Sequence, residues 1–427
     1  MGVVTLLSYL LRQPSFTPTD FIKTPEGKEQ QAKNYAACAA TLDILETAAG
    51  NIGFEVLHRP VFENLHPEFP YPVENLVLRL RKGNPARSLC FLGHTDVVGV
   101  NPKDWSVDPF GAAIHDGYLY GRGATDMKGG VAAWFTAVRN VVDELDDVDI
   151  YIVITTDEES MALNGTRPTL EWMHANGHKP TAFIVGEPSA GDVLGDSVRP
   201  GRRGCMGGRI VVTGVGGHTA YPGTFVNPSD ILLDVLQTLK GIEYAHPEDW
   251  SDSAITNFET TGIKFSHLMN INVVEATAEA AFNLRFTGNY SPEDLEIIMQ
   301  QALDDAGFSH EQVKLNARVD LAARPYNSKQ GRLSAAIRKA IALVAPGVTP
   351  DFNRRGGTSD GRFVQEFDPD AEVIEFGSPY NGGVEKSHPD YGKKGGLHMA
   401  DERIKLTDLH NLTRAYAQVI TDFFTGA

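Results

Sequence analysis

Short apolar runs alternate with amphipathic stretches along the first two hundred residues. Four of these runs are typical of buried strands, and they cover residues 75–80, 89–92, 150–154 and 182–185. Helical spacing of apolar residues lies between them, for example at 130–145 and 169–176. This alternation predicts an α/β fold, in which a mixed, mostly parallel sheet is flanked by helices.

The pattern changes near residue 200. Strands are predicted near 209–213, 255–264, 277–286 and 313–319, with helices at 229–239 and 291–306. The resulting order, βαββαβ, is typical of a split βαβ, ferredoxin-like α+β domain. Apolar patterns at 333–344, 372–376 and 408–424 then return to the first type. We therefore expect a catalytic domain of residues 1–203 and 318–427, with an inserted domain of residues 204–317.

Length, charge and cysteine content narrow the class of protein. A chain of 427 residues is long enough for two cores. Its formal net charge of −17 argues against a nucleic-acid partner, which needs a basic face. The apolar stretch 3–11 lacks the basic flank of a signal peptide, and no run is long enough to span a membrane. Only three cysteines occur, so we expect a cytoplasmic protein without a disulfide framework.

Acidic residues and histidines follow the predicted strands. His94 and Asp96 follow the run 89–92, and Glu187 follows the run 182–185. Asp126 lies in a glycine-rich segment just before a predicted helix. Ligands collect at the carboxyl ends of strands in such sheets, and imidazole and carboxylate are zinc ligands. Each residue alone also fits a structural role, such as a helix cap or a hydrogen-bonded histidine.

The acidic cluster Asp157-Glu158-Glu159 is the most informative of these. It follows the apolar run 150–154, and adjacent acids at such a strand end repel each other unless a cation is present. One acid can bind metal while its neighbour acts as a general base. A solvated pair of loop acids is the alternative interpretation.

Several segments resemble those of a known family. They include GHTDVV (93–98), YGRG (120–123), VGEPS (185–189), GRRG (201–204), GHTAYP (217–222), NLRF (283–286) and GGTSDGRF (356–363). Together and in this order, they resemble the aminoacylase/carboxypeptidase family of binuclear zinc metallopeptidases. The resemblance extends from about residue 15 to the last predicted helix.

The resemblance implies two Zn²⁺ ions per subunit, which Co²⁺ can replace. His94, Asp126 and Glu187 would hold one ion. His398 and Glu159 would hold the other together with Asp126, which is then shared and commonly precedes a cis peptide bond. His388 is a rival for the last histidine, but the sequence around His398 fits the family better.

The resemblance also implies the remaining roles. Asp96 would orient His94, and Glu158 would act as general base and acid. His218 would reach the active site of the partner subunit in a homodimer and stabilise the oxyanion. The residues that would bind a small N-acyl amino acid substrate are Arg202, Asn272, Arg285, Gly357 and Thr358.

The reaction that the resemblance implies is hydrolysis of N-succinyl-L,L-2,6-diaminopimelate to succinate and diaminopimelate, in lysine and cell-wall biosynthesis. The alternative is deacetylation of N-acetylornithine or another N-acylamino acid. Arginines in the segments 201–204 and 283–286 favour succinate, because its extra carboxylate needs a cationic partner. A catalytically inactive homologue is a third possibility, which the intact set of acids and histidines disfavours.

Overall fold

A computed structural model of the protein describes residues 1–17, 25–63, 72–159, 162, 164–248, 256–265 and 271–426. Contacts divide the chain into two units. The first comprises Met1–Gly201, Ser328–Asn353 and Ser359–Ala427, and the second comprises Arg202–Asn327 and Arg354–Thr358. Within the described residues, no helix is long and apolar enough to cross a bilayer.

The described residues form the following α-helices and β-strands. The helices are α1 (Val3–Leu11), α2 (Pro25–Gly50), α3 (Lys128–Val141), α4 (Thr166–Ala175), α5 (Pro228–Lys240), α6 (Pro292–Asp305), α7 (Arg332–Val344), α8 (Gly361–Phe367) and α9 (Leu406–Thr425). The strands are β1 (Glu55–His58), β2 (Val61–Glu63), β3 (Pro72–Glu74), β4 (Leu76–Lys82), β5 (Leu89–His94), β6 (Ile114–His115), β7 (Tyr118–Tyr120), β8 (Val148–Thr155), β9 (Ala182–Val185), β10 (Ser197–Val198), β11 (Gly201–Arg202), β12 (Gly204–Thr213), β13 (Gly217–His218), β14 (Asn257–Phe265), β15 (Val273–Val274), β16 (Thr277–Phe286), β17 (Val313–Ala323), β18 (Tyr326–Asn327), β19 (Asp351–Phe352), β20 (Glu372–Glu375) and β21 (Arg403–Lys405).

A six-stranded mixed sheet forms the centre of the first unit. Its order is β1-β4-β8-β5-β9-β20, and the last four strands run parallel to one another. Strands β1 and β4 are antiparallel to their neighbours. Every residue of β5 and β8 is buried, as is typical of strands covered by helices on both faces. The predicted α/β fold is thereby confirmed.

Helix α3 approaches this sheet at a point where only glycine fits. A Cβ atom on Gly130 would lie 2.5 Å from the carbonyl oxygen of Gly186, which follows β9. Residues 128–138 of α3 are all buried. Since Asp126 precedes α3 and Glu187 follows β9, this close approach brings two acidic residues near each other.

Helix α2 was not predicted from the sequence. In its described part, small residues such as Ala37, Cys38 and Ala49 lie on the buried face together with Leu42 and Leu45. Alanine contrasts weakly with the polar residues around it, so the apolar stripe is faint. The helical spacing of residues 38, 42, 45 and 49 was the available signal.

The second unit contains a four-stranded antiparallel sheet in the order β14-β16-β12-β17, together with α5 and α6. A capping box between Ser291 and Asp294 begins α6. Leucines of both helices, including Leu232, Leu236 and Leu295, pack in a core with Phe282 of β16. Of the predicted strand 255–264, residue 255 lies outside the described residues.

The boundaries of the units differ from those expected from the sequence. The second unit begins at residue 202 rather than 204, and the chain returns to the first unit at 328 rather than 318. Residue 318 lies inside β17, where the pairing with β12 is irregular between Gly207 and Arg209. Apolar residues nevertheless continue at every second position through Val319, Leu321 and Ala323, so the signal for the whole of β17 was present in the sequence.

Candidate metal centre

Three parallel strands deliver acids and a histidine to one edge of the central sheet. His94 is the last residue of β5, and Glu187 comes two residues after the end of β9. Glu158 and Glu159 follow β8 closely. Because the carboxyl ends of parallel strands meet at the same edge, these side chains converge.

His94 lies at the centre of one group of acids. Its Nε2 atom is 3.4 Å from Oδ1 of Asp126 and 3.4 Å from Oε1 of Glu187. Oε2 of Glu158 is 4.0 Å from the same nitrogen. Glu158 is therefore close enough to reach an ion held by His94 and Glu187, or a water molecule bound to that ion.

His398 lies in a second group. Its Nε2 atom is 3.0 Å from Oε2 of Glu159 and 3.4 Å from Oδ2 of Asp126. Asp126 thus turns one carboxylate oxygen towards each histidine. His388, the rival histidine, instead accepts a hydrogen bond from the backbone amide of Asp390 through its Nδ1 atom, at 3.1 Å.

These distances fit metal ligands. Two ligands about 2.1 Å from a tetrahedral zinc ion lie about 3.4 Å apart, close to the separations between His94 and its acids. Ligand atoms of His94, Glu158 and Glu187, and of His94, Asp126 and Glu159, each fall within 4.8 Å of one another. Nε2 of His94 and Oδ1 of Asp126 are buried and have no hydrogen-bond partner among the described residues. A bound cation would satisfy both atoms, since each can offer a lone pair to a metal.

Glu187, Glu159 and His398 have raised pKa values, because several negative charges lie close together in a buried site. Burial, and next the charge of Asp126, raise the pKa of Glu187 to about 8 and that of Glu159 to about 7. Hydrogen bonds to Asp126 and Glu159 raise the pKa of His398 to about 10. Without a bound cation, protons on Glu187, Glu159 and His398 therefore offset the negative charge of the acids.

Asp96 positions both His94 and the acidic loop. The Nδ1–H group of His94 donates to the backbone carbonyl oxygen of Asp96 at 3.0 Å, which leaves Nε2 to bind a metal. The carboxylate of Asp96 accepts hydrogen bonds from the backbone amides of Glu158 and Glu159, both at 3.0 Å. The main contact with the imidazole is therefore made by the backbone of Asp96, and its carboxylate orders the neighbouring acids.

Glu158 has the environment of a proton acceptor. Its side chain is 16% exposed, so it is shielded yet open to a small molecule. Burial, and next the charge of Glu187, raise the pKa of Glu158 well above the ordinary range. A carboxylate in these surroundings takes up a proton readily.

The other residues predicted from the sequence lie in the second unit. His218 is exposed on β13, and its Nδ1 atom accepts a hydrogen bond from the amide of Ala220 at 3.1 Å. Asn272 is exposed, and its carbonyl oxygen accepts a hydrogen bond from the amide of Thr219 at 2.9 Å. Arg202 is buried and donates to the carbonyl oxygen of Arg355 at 3.0 Å.

Arg285 and Gly357 come together in this second unit. Nε of Arg285 donates to Oδ1 of Asn283 at 3.1 Å, while its Nη1 atom is buried without a hydrogen-bond partner in the described residues. A Cβ atom on Gly357 would lie 4.0 Å from that nitrogen, so the glycine leaves space beside it. Thr358 is half-buried next to Gly357 in the chain.

Two backbone features mark the loops that carry the shared acid and the last histidine. The peptide bond between Asp126 and Met127 is cis, as the resemblance implies. His398 has a φ of 58°, in the left-handed region that non-glycine residues rarely adopt. The sequence patterns did not predict a role for Glu402, a buried acid in the same segment as His398. The sequence signal that could have indicated a role for Glu402 was its position four residues after this histidine.

The fold is shared with a solved metallopeptidase. The structure of the M20 family metallo-carboxypeptidase Sso-CP2 from Sulfolobus solfataricus matches with a TM-score of 0.73 at 17% identity, over 99% of each chain. The family model "Peptidase family M20/M25/M40" matches residues 90–422. The chain belongs to this peptidase family.

Curated relatives share much of the sequence. A succinyl-diaminopimelate desuccinylase of Rhodospirillum centenum is 35% identical over 433 residues, covering 99% of this chain and 98% of the relative. An enzyme of the same name from a Psychrobacter species is 35% identical over 349 residues, covering 81% and 82%.

Proposed function

We propose that the chain is a metal-dependent amidohydrolase that removes the succinyl group from N-succinyl-L,L-2,6-diaminopimelate. The observation that carries this proposal is 35% identity to a succinyl-diaminopimelate desuccinylase along 99% of the chain. The convergence of His94, Asp126, Glu159, Glu187 and His398 supports it, because amide hydrolysis in such a site depends on bound metal.

Two metal ions would be held by these five residues. His94 and Glu187 would bind one ion, and His398 and Glu159 would bind the other. Asp126 would bind both, since its two oxygens face different histidines. Histidine and carboxylate ligands suit zinc, and cobalt binds similar sets of ligands. Two such ions lower the pKa of a bound water and polarise the scissile carbonyl group.

Glu158 would move the proton. It takes a proton from the attacking water and gives it to the nitrogen of the leaving diaminopimelate. Its raised pKa suits this work, because the protonated acid must persist until the amide bond breaks. The proton is thus returned to product, and Glu158 is ready for another cycle.

His218 would donate a hydrogen bond to the oxyanion. Its Nδ1 atom accepts from Ala220, so the neutral ring carries its proton on Nε2. A donor of this kind is typically worth about 3–4 kcal/mol in the transition state. We propose that His218 acts in the active site of the partner subunit, in a cytoplasmic homodimer whose second unit serves as dimerisation and lid domain.

The substrate would be bound by residues of the second unit, namely Arg202, Asn272, Arg285, Gly357 and Thr358. The buried, unsatisfied Nη1 atom of Arg285 is suited to a carboxylate oxygen, because guanidinium and carboxylate form strong charge-assisted hydrogen bonds. The space that Gly357 leaves beside Arg285 would admit the carboxylate. An acetyl group has no carboxylate to fill this position.

A substrate panel tests the proposed function. The purified chain with added Zn²⁺ is assayed with N-succinyl-L,L-diaminopimelate, N-succinylornithine and N-acetylornithine, with Glu158→Gln as the inactive control. We expect the largest kcat/KM for the succinylated diaminopimelate. Faster turnover of N-acetylornithine would contradict the proposed substrate. Zinc binding without hydrolysis of any substrate would instead indicate an inactive homologue.

A further inference from the structure

Glu402 is a fully buried acid that the proposed reaction does not use. It immediately precedes β21 and lies four residues after His398. Its relative exposure is 0%, and a buried carboxylate is costly unless it is paired and hydrogen-bonded. The contacts of Glu402 therefore indicate what it stabilises.

One oxygen of Glu402 binds the backbone of the loop that carries the shared acid. Its Oε1 atom accepts hydrogen bonds from the amides of Thr125, at 2.9 Å, and Asp126, at 3.1 Å. Its Oε2 atom pairs with Nη1 of Arg122, which is also buried. The backbone carbonyl oxygen of Glu402 accepts a further hydrogen bond from the amide of Gly121 at 2.9 Å. Glu402 thus holds both ends of the segment 121–126.

This attachment matters because it fixes the backbone from which the Asp126 side chain extends. The Oδ1 atom of Asp126 has no hydrogen-bond partner in the described part of the chain, and both carboxylate oxygens face histidines. Glu402 therefore sets the position of the backbone, and the two histidines attract the carboxylate oxygens. Mutation of a group that holds a metal ligand in place typically lowers metal affinity by about 10–100-fold.

We infer that Glu402 is a positioning residue that holds Asp126 between the two metal ions and ties it to the segment of His398. The inference rests on the proposed metal centre. Because Asp126 is shared, loss of this support weakens both zinc sites together. Loss of an unshared ligand such as His398 weakens mainly its own site.

Two double variants of the full-length chain separate this role from that of a structural ion pair. Arg122→Gln with Glu402→Gln removes both charges but keeps an oxygen that accepts from the two amides. Arg122→Met with Glu402→Met removes the charges and the acceptor at similar side-chain length. Zinc dissociation constants are measured by competition with a chromophoric chelator, after dialysis against EDTA.

We expect the glutamine pair to retain both zinc affinities and the methionine pair to lose about 10–100-fold at both sites. The matched control is Arg79→Met with Asp149→Met, which removes another ion pair of the first unit, at 2.8 Å, and leaves zinc binding unchanged. Thermal unfolding of the metal-free proteins reports stability separately.

Three outcomes overturn the inference. The first is that the methionine pair unfolds at a lower temperature yet binds both zinc ions normally. The second is that the methionine pair loses affinity at only one zinc site. The third is that the glutamine pair loses as much zinc affinity as the methionine pair. If the methionine pair fails to fold, Glu402→Asp decides, because its shorter side chain keeps the charge but draws the acceptor away from the amides of Thr125 and Asp126. Weaker zinc binding at both sites supports the inference, and unchanged zinc binding overturns it. An unmodified chain that binds no zinc overturns the metal centre as well, which distinguishes the two failures.

Discussion

Asp126 turns its two carboxylate oxygens to different histidines, and this is the central feature of the site at the scale of single residues. Oδ1 faces His94 and Oδ2 faces His398, each at 3.4 Å. The two histidines differ in their surroundings: the His94 side chain is 1% exposed, whereas that of His398 is 45% exposed. The site near His398 is therefore the more accessible to solvent and to chelators.

The histidines allow a direct test of the ligand set. His398→Ala should reduce zinc content from two ions to one per chain, because the remaining ligands of the second site are Glu159 and the shared Asp126 alone. Metal analysis after gel filtration measures this. His388→Ala is the matched control and should retain both ions, since His388 contacts Asp390 instead. Loss of an ion in the control, but not in His398→Ala, would show that His388 is the ligand instead of His398.

The raised pKa values predict how zinc binding depends on pH. Glu159, with a pKa of about 7, and Glu187, with a pKa of about 8, hold protons near neutral pH in the metal-free protein. Zinc must displace these protons, so apparent affinity should rise as the pH rises through this range and fall as it is lowered. Isothermal titration in buffers of different ionisation enthalpy should detect proton release on binding. Binding without proton release near pH 7 would contradict these assignments.

At the scale of elements, the close approach of α3 to the end of β9 links packing to chemistry. Helix α3 begins two residues after Asp126, and β9 ends two residues before Glu187. The separation of the two elements therefore sets the separation of the two acids. Gly130 permits this separation, because any side chain there meets the backbone of Gly186.

Gly130→Ala should accordingly damage both stability and metal binding. Its Cβ atom, 2.5 Å from the carbonyl oxygen of Gly186, must push the helix away. We expect a loss of about 1–3 kcal/mol in the free energy of unfolding, as is typical of overpacking, and weaker zinc binding. Chemical denaturation and chelator competition measure the two effects. Gly50→Ala is the control, since a Cβ there meets nothing within 4 Å. Equal effects of both variants would rule out the steric explanation.

At the scale of the whole molecule, the proposed trans-subunit role of His218 predicts that two inactive variants restore activity when they form a mixed dimer. Glu158→Gln and His218→Ala should each be nearly inactive. In a mixed dimer, one active site combines the intact Glu158 of one subunit with the intact His218 of its partner.

Co-refolding equal amounts of the two variants should therefore restore about a quarter of the activity, since half of the dimers are mixed and each has one intact site. The mixture is compared with each variant refolded alone. No recovery, despite mixed dimers being detected by native mass spectrometry, would contradict the trans-subunit role. Normal activity of His218→Ala alone would remove His218 from the mechanism.

The sequence by itself predicted the elements with strong apolar patterns. Strands β9 (Ala182–Val185) and β16 (Thr277–Phe286) have the bounds that the pattern predicted. Helix α2 was missed because alanines give only a faint apolar stripe. The end of β17 was missed although its apolar alternation continues to Ala323. Apolar periodicity predicts a helix or strand only where apolar and polar residues within that segment differ clearly.

His94, Glu159 and Glu187 could be placed near one sheet edge from the sequence, because each follows an apolar strand. Asp126 and His398 were predicted as ligands only from the family resemblance. Which histidine is close to Glu159, and which oxygens of Asp126 face which ring, only the tertiary structure decided. The same is true of Glu402, whose carboxylate reaches Thr125 and Asp126 from 276 or more residues away in the chain. Strand ends follow from short-range periodicity, whereas contacts between distant segments depend on the packing of the whole unit.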